Sequence, residues 1–238
     1  MTGLPALGAV ETPRAAIFDL DDTLYELEQF VQSGFAAVAD ELERRVSLPA
    51  PWLLASLRRA RLRGHAGKEL QALCADHGLP ADLVPELVQV IRAHEPTLVL
   101  GSVAAAVLAQ MRADGWRLGI LTNGLPATQR AKVEALGLDA RVDAVLCAEE
   151  HAPGGKPSRA AFDAVLAALG VRPEETVFIG DDLIRDVAGA RHAGMRTIRV
   201  ANGRAPLRTE GDADALARLE DVPAVAGRLV KGTPAHAA

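Results

Sequence analysis

The chain has 238 residues, 49% hydrophobic and 24% charged, with 31 acidic against 26 basic side chains and a formal net charge of −5. That length holds one large domain, or one core carrying an inserted subdomain. The acid excess argues against a general nucleic-acid binder, and an aromatic share of 3% leaves little for base stacking, so the core must be mostly Ala, Leu and Val.

Residues 1–13 carry Gly and Pro without periodicity and read as a flexible lead-in. They lack the basic start and apolar stretch of a secretory signal, and no run reaches the roughly 18 apolar residues of a membrane span. Cys74 and Cys147 match no metal or redox spacing and are expected as reduced, buried thiols. The reading is a cytoplasmic protein, monomeric or homodimeric, without membrane or nucleic-acid partners.

Ala15 to Phe18 is a short apolar run with the character of a buried strand, and it stops on Asp19, Asp21 and Asp22. Apolar residues then recur at helical spacing from Glu26 to Val46, and Trp52–Leu62, Glu69–Cys74 and Asp82–Ile91 read as three more helices, punctuated by Gly and Pro. With no strand pattern between about residues 26 and 97, this stretch is an inserted helical subdomain. From Pro96 helices and strands alternate: helix Ser102–Ala113, strand Arg117–Leu121, helix Ala127–Leu136, strand Ala144–Cys147, helix Ser158–Leu169, strand Thr176–Ile179, helix Ile184–Ala193 and strand Thr197–Val200. Such alternation specifies an α/β fold, a doubly wound parallel sheet. Residues 207–230 read as one more helix with some loop, and 231–238 as a frayed end. Trp52 and Trp116 are expected to be packing residues.

Chemistry gathers at strand ends. Asp19 and Asp21 are two apart, so an ideal strand would point both to one face, where two like charges call for a cation or a retained proton. The bland alternative is a helix start, since Thr23-x-x-Glu26 fits a capping box. Three further clusters follow: Thr122-Asn123-Gly124, Gly154-Gly155-Lys156-Pro157-Ser158, and Gly180-Asp181-Asp182 with Asp186 beyond. The C-terminal rim of one open sheet would collect them all. Asp19 and Asp181 offer hard oxygens for Mg²⁺. Thr122 offers a hydroxyl, the N–H groups at Asn123 and Gly124 can receive phosphate oxygens, and Lys156 offsets the massed acids. Read singly, these are a turn, a surface lysine and a helix cap.

In this order the four clusters resemble the motifs of the haloacid dehalogenase-like hydrolase superfamily, which is mostly phosphatases. The resemblance spans about residues 14–201, and the helical insert is similar to that family's α-helical cap. It implies a Rossmann-like core at 14–25 and 98–230 with a cap at 26–97. It also implies Mg²⁺ as cofactor and a small phosphorylated metabolite as substrate, such as phosphoglycolate, a sugar phosphate or a nucleotide. By the same resemblance Asp19 is the nucleophile that forms an aspartyl-phosphate, and Asp21 is the proton donor and acceptor whose carbonyl also binds metal. Thr122 holds the phosphoryl group with the Asn123 and Gly124 amides, and Lys156 steadies it together with Asp19. Asp181 ligates Mg²⁺, with Asp186 beside it. The dehalogenases of the family lack the second acid, so Asp21 favours phosphoryl transfer. A phosphomutase with the same nucleophile and a non-catalytic binding module are the other readings. Within the insert, Arg58, Arg59, Arg61, Arg63, His65 and Lys68 form either a solvated face or a site for a second anionic group of the substrate.

Overall fold

Six short segments pair side by side into one sheet in the order β3-β2-β1-β4-β5-β6, every neighbouring pair parallel. The structure, a computed structural model, describes residues 14–200 and 213–231; the lead-in 1–13 and the expected frayed end beyond Lys231 lie outside them. The strands are β1 (Ala15–Phe18), β2 (Arg117–Thr122), β3 (Ala144–Cys147), β4 (Thr176–Gly180), β5 (Arg196–Val200) and β6 (Ala215–Ala217). The helices are α1 (Leu27–Val46), α2 (Ala50–Leu62), α3 (Glu69–Asp76), α4 (Val84–Ala93), α5 (Ser102–Ala113), α6 (Pro126–Ala135), α7 (Arg159–Leu169), α8 (Gly189–His192) and α9 (Val222–Lys231).

The described chain divides into two compact units. One contains the described residues up to Thr23, then Ser102–Asn123 and the described residues from Arg141 onward; the other contains Leu24–Gly101 and Gly124–Ala140. In the first unit every residue of β1 is fully buried. Consecutive strand residues face opposite ways, so burial of all four means that both faces of the sheet are covered, which is why the strand reads as an unbroken apolar run. Ala15, Ile17 and Phe178 join a core with Phe162, Val165, Leu166 and Leu169 of α7, and the Phe162 and Phe178 rings meet edge to face at 5.3 Å. β1 lies at the centre, with Phe18 opposite Ile120 of β2 and Ile179 of β4. The chain therefore leaves β1 between two flanking strand ends, tied there by Asp19 N–H donating to the Ile179 carbonyl at 2.8 Å.

The second unit is helical. Phe35, Val38, Ala39 and Leu42 line one face of α1 at i, i+3, i+4, i+7 and pack with Leu53 and Leu57 of α2, Leu70 and Leu73 of α3 and Leu87 of α4. Proline falls in the first turn of α2, α4 and α6, where its missing N–H costs no hydrogen bond.

Several expectations change. Thr23 and Glu26 form no capping box, because α1 starts at Leu27 without any side-chain cap. The helix expected at Ile184–Ala193 opens as a π-helical segment, Leu183–Ala188, and only its end is α-helical. The stretch expected as helix and loop near the end contains β6, an Ala-Leu-Ala strand without β-branched residues, followed by α9. Its position is fixed by Asp214, whose carboxylate accepts from Thr197 N–H at 2.8 Å and from its hydroxyl at 3.0 Å. Trp116 is buried, but Trp52 is 68% exposed and is not a packing residue. Both cysteines are free and buried, and no helix among the described residues is long and apolar enough to cross a membrane.

Helix α8 packs closely against α7 at Gly189, where a Cβ would stand 2.6 Å from Phe162 Cε2 and 3.0 Å from Pro157 Cβ. Because Phe162 is fully buried, Gly189→Val should destabilise the protein by about 1–3 kcal/mol through overpacking. This outweighs the few tenths of a kcal/mol that valine gains over glycine in a helix. Urea unfolding should show a lower midpoint with an unchanged slope.

Candidate active site

Three segments far apart in sequence meet at the C-terminal rim of the sheet. The Lys156 ammonium donates to Asp19 Oδ1 at 2.6 Å and to Asp186 Oδ1 at 2.7 Å. All three residues are buried, Lys156 being only 3% exposed. Burial alone would lower the lysine pKa, but Asp19 and Asp186 together outweigh it and hold the ammonium above its ordinary value. Asp19 is different. Its burial is the largest influence, the Asp186 and Asp21 carboxylates push the same way, and Lys156 opposes them, so the carboxyl is pushed up to about 7. One lysine does not neutralise this group of acids.

Asp181 and Asp186 flank the turn after β4. Asp182 caps the π-helical segment: its Oδ1 accepts from Ile184 N–H at 2.9 Å and Arg185 N–H at 2.8 Å. Asp186 is steered inward by its other oxygen, which accepts from Asp182 N–H at 3.1 Å. Gly180 makes room for it, since a Cβ there would lie 2.6 Å from Asp186 Cγ. Carboxylate oxygens of Asp19, Asp181 and Asp186 lie within 4.8 Å of one another. Burial first, then Asp186, Asp22 and Asp182, push Asp181 up to about 6. A set of hard oxygen donors, crowded and under-compensated by cations, fits a hard divalent cation such as Mg²⁺.

Asp21 and Asp22 follow β1, partly exposed, with Asp22 in the left-handed region at φ 58°. Thr122 closes β2, nearly fully buried, opposite Cys147 of β3. The Asn123 side chain is committed to the lysine loop: Oδ1 accepts from Lys156 N–H at 2.8 Å and Nδ2 donates to the Lys156 carbonyl at 3.0 Å. Gly124 has φ 129° and belongs to the helical unit, where Gln129 would crowd any Cβ at 3.1 Å.

Two of the four arginines in the run of the helical unit are engaged. Arg61 donates to both oxygens of Glu28, at 3.0 and 2.8 Å, and to Glu69 at 2.6 Å. Arg58 donates to Gln32 Oε1 at 2.8 Å, while Arg59 and Arg63 are exposed. Arg61 is thus a structural bridge rather than a spare cation. Sequence reasoning missed Arg199 of β5, whose Nε–H donates to the Asp181 carbonyl at 3.1 Å; a lone arginine in a strand carries no signal of that contact. It also missed the Asn123 carboxamide, although the adjacent Gly154-Gly155 pair pointed to a crowded loop.

A family model described as haloacid dehalogenase-like hydrolase matches residues 13–194. A glyceraldehyde 3-phosphate phosphatase from Methanopyrus kandleri is 30% identical over 209 residues, covering 80% of this chain and 85% of its own. Two solved structures align at the same TM-score of 0.60. One is a 2-haloacid dehalogenase from Pseudomonas syringae, 28% identical, covering 91% of this chain and 99% of its own. The other is a HAD phosphatase from Thermococcus onnurineus, 25% identical, covering 90% and 98%.

The raised carboxyls fix the sign of a pH effect in metal-free protein. Asp181 ionises near 3.8 when unfolded and near 6 when folded, so above pH 4 the unfolded state binds fewer protons and this group's contribution to stability falls as pH rises. In EDTA, the Tm of Asp181→Asn relative to the wild type should therefore increase between about pH 4 and pH 6.5. In Mg²⁺ the order should reverse, since only the wild type gains from binding the cation. Paired thermal melts in the two buffers measure both.

Proposed function

The chain belongs to the haloacid dehalogenase-like hydrolase family and is a phosphoric monoester hydrolase, and from that premise we propose a Mg²⁺-dependent reaction through an aspartyl-phosphate on Asp19. The substrate class is a small phosphorylated metabolite, such as phosphoglycolate, a sugar phosphate or a nucleotide. The observation that carries the proposal is the Asp19–Lys156–Asp186 cluster at the rim: a buried carboxylate with one oxygen held at 2.6 Å by an ammonium and the other left to attack.

In the first half-reaction the free oxygen of Asp19 attacks phosphorus. The bond from phosphorus to the leaving oxygen breaks, and that oxygen takes a proton from Asp21. In the second, Asp21 takes a proton from water as the water oxygen attacks the same phosphorus. The bond to Asp19 then breaks, and inorganic phosphate leaves. Thr122 and the Asn123 and Gly124 amides hold the equatorial oxygens, and Lys156 stabilises their charge. When bound, the cation held by Asp19, the Asp21 carbonyl, Asp181 and Asp186 supplies further positive charge to those oxygens. Residues 14–25 and 98–230 act as the catalytic core and the helical segment 26–97 as the cap that carries selectivity.

A dehalogenase reading draws support from the solved dehalogenase of equal fold similarity. Asp21 weighs against it, because carbon–halogen cleavage needs no acid to protonate the departing halide.

Hydrolysis of p-nitrophenyl phosphate should require Mg²⁺, stop in excess EDTA, and fall by about 10³-fold or more in Asp19→Asn. No chloride should be released from 2-chloropropionate. Full activity in Asp19→Asn or in EDTA would overturn the mechanism. Absolute dependence on a sugar bisphosphate would shift the reading to a phosphomutase.

A further inference from the structure

We propose that Asn123 is a positioning residue whose carboxamide, clamped to the backbone of Lys156, sets where the Lys156 ammonium stands. A lysine side chain is a point charge on a flexible four-carbon stem, so its placement depends on the backbone that carries it. Here that backbone lies in an irregular loop, with Gly154 at φ 80° and Gly155 at φ 63°, and no strand ladder fixes it. Both polar groups of the Lys156 backbone go instead to one side chain: its N–H donates to Asn123 Oδ1 and its carbonyl accepts from Asn123 Nδ2. Only a primary amide of this length supplies an acceptor and a donor side by side. An aspartate would set a charge against the Lys156 carbonyl, and alanine would leave two buried backbone groups without partners.

Gly155 is the second half of the device. A Cβ there would stand 2.6 Å from Asn123 Oδ1 and 2.9 Å from its Cγ, so the glycine is required both by its positive φ and by the space the amide fills. Because Asn123 directly follows Thr122 at the end of β2, the clamp locks the lysine loop to the strand end that presents the hydroxyl. The carboxamide thereby serves the loop, and its contribution to the reaction passes through Lys156. The kinetic consequence rests on the phosphatase reading above; the clamp itself does not.

The test uses Asn123→Ala, Asn123→Asp and Gly155→Ala in the full chain. With p-nitrophenyl phosphate and Mg²⁺, each should lower kcat on the order of 10²-fold, as expected for misplacing a catalytic charge by about 1 Å. Orthovanadate inhibition should weaken in parallel. Asn123→Asp, which keeps the shape, should not rescue, and the double variant Asn123→Ala/Gly155→Ala should lose little more than either single one. A second readout needs no turnover: in ¹⁵N-lysine-labelled, metal-free protein the buried Lys156 ammonium should give a slowly exchanging signal that broadens away in each variant. Should Asn123→Ala fail to fold, Gly155→Ala carries both readouts. Wild-type kcat and an unchanged ammonium signal in the variants would overturn the proposal while leaving the phosphatase reading intact. Loss of the signal in the variants of a protein that shows no Mg²⁺-dependent turnover would support the clamp and sink the phosphatase reading.

Discussion

A single buried ammonium holds the rim of the sheet together. Lys156 is 137 residues from Asp19 and 30 from Asp186, yet it binds both within hydrogen-bond distance. None of the three tolerates burial alone: a desolvated charge without its partner destabilises a protein by about 3–5 kcal/mol. The end of β1, the loop before α7 and the turn after β4 must therefore arrive together or not at all. The contact also leaves a residue of strain in the electrostatics, because Asp19 stays pushed up to about 7 despite its lysine. That imbalance is what gives a cation something to stabilise, and it links the ordinary requirements of folding to the chemistry proposed for the site.

The sheet order makes this convergence possible. A central β1 with β2 and β4 as parallel neighbours, and β3 parallel beyond β2, sends the strand ends to the same side, so the segments that follow β1, β3 and β4 carry Asp19, Lys156 and Asp186 to one rim. Small local permissions complete it. Gly180 leaves the space that Asp186 occupies, and Gly155 leaves the space that Asn123 occupies. In both places the absence of a side chain on one element admits a polar group from another.

How much of this was legible in the sequence follows from which forces are local. The strands β1, β2 and β4 read correctly because burial on both faces demands unbroken apolar runs, and the polar residues that end those runs mark the rim. β6 was not legible, since Ala-Leu-Ala has no strand propensity and its place is set by backbone pairing and by Asp214. The π-helical segment was equally hidden: Leu183 to Ala188 has ordinary helical composition, and its widening goes with Asp186 turning inward to Lys156. Hydrogen bonds between distant segments leave no periodic trace at all, which is why the sequence offered Asn123 for its backbone N–H and not for its carboxamide, and showed Arg61 only as part of a basic run and not as a bridge to Glu28 and Glu69.

Fold similarity cannot choose between the chemistries of this family. A dehalogenase and a phosphatase align with the chain at the same TM-score of 0.60, because one fold can carry either reaction. The choice falls to side chains that packing does not require. Asp21 is such a residue: partly exposed, outside the hydrophobic core, and costly beside Asp19, whose carboxyl it helps to push upward. A further carboxylate beside Asp19, Asp181 and Asp186, in a site already short of positive charge, lowers stability, so its place there calls for a use in the reaction. Phosphoryl transfer from an ester supplies one on the proposed mechanism, since the leaving oxygen needs a proton and the attacking water must lose one. Displacement of a halide has no use for the first of these, so an acid placed to give a proton and then take one fits the phosphoryl reading better.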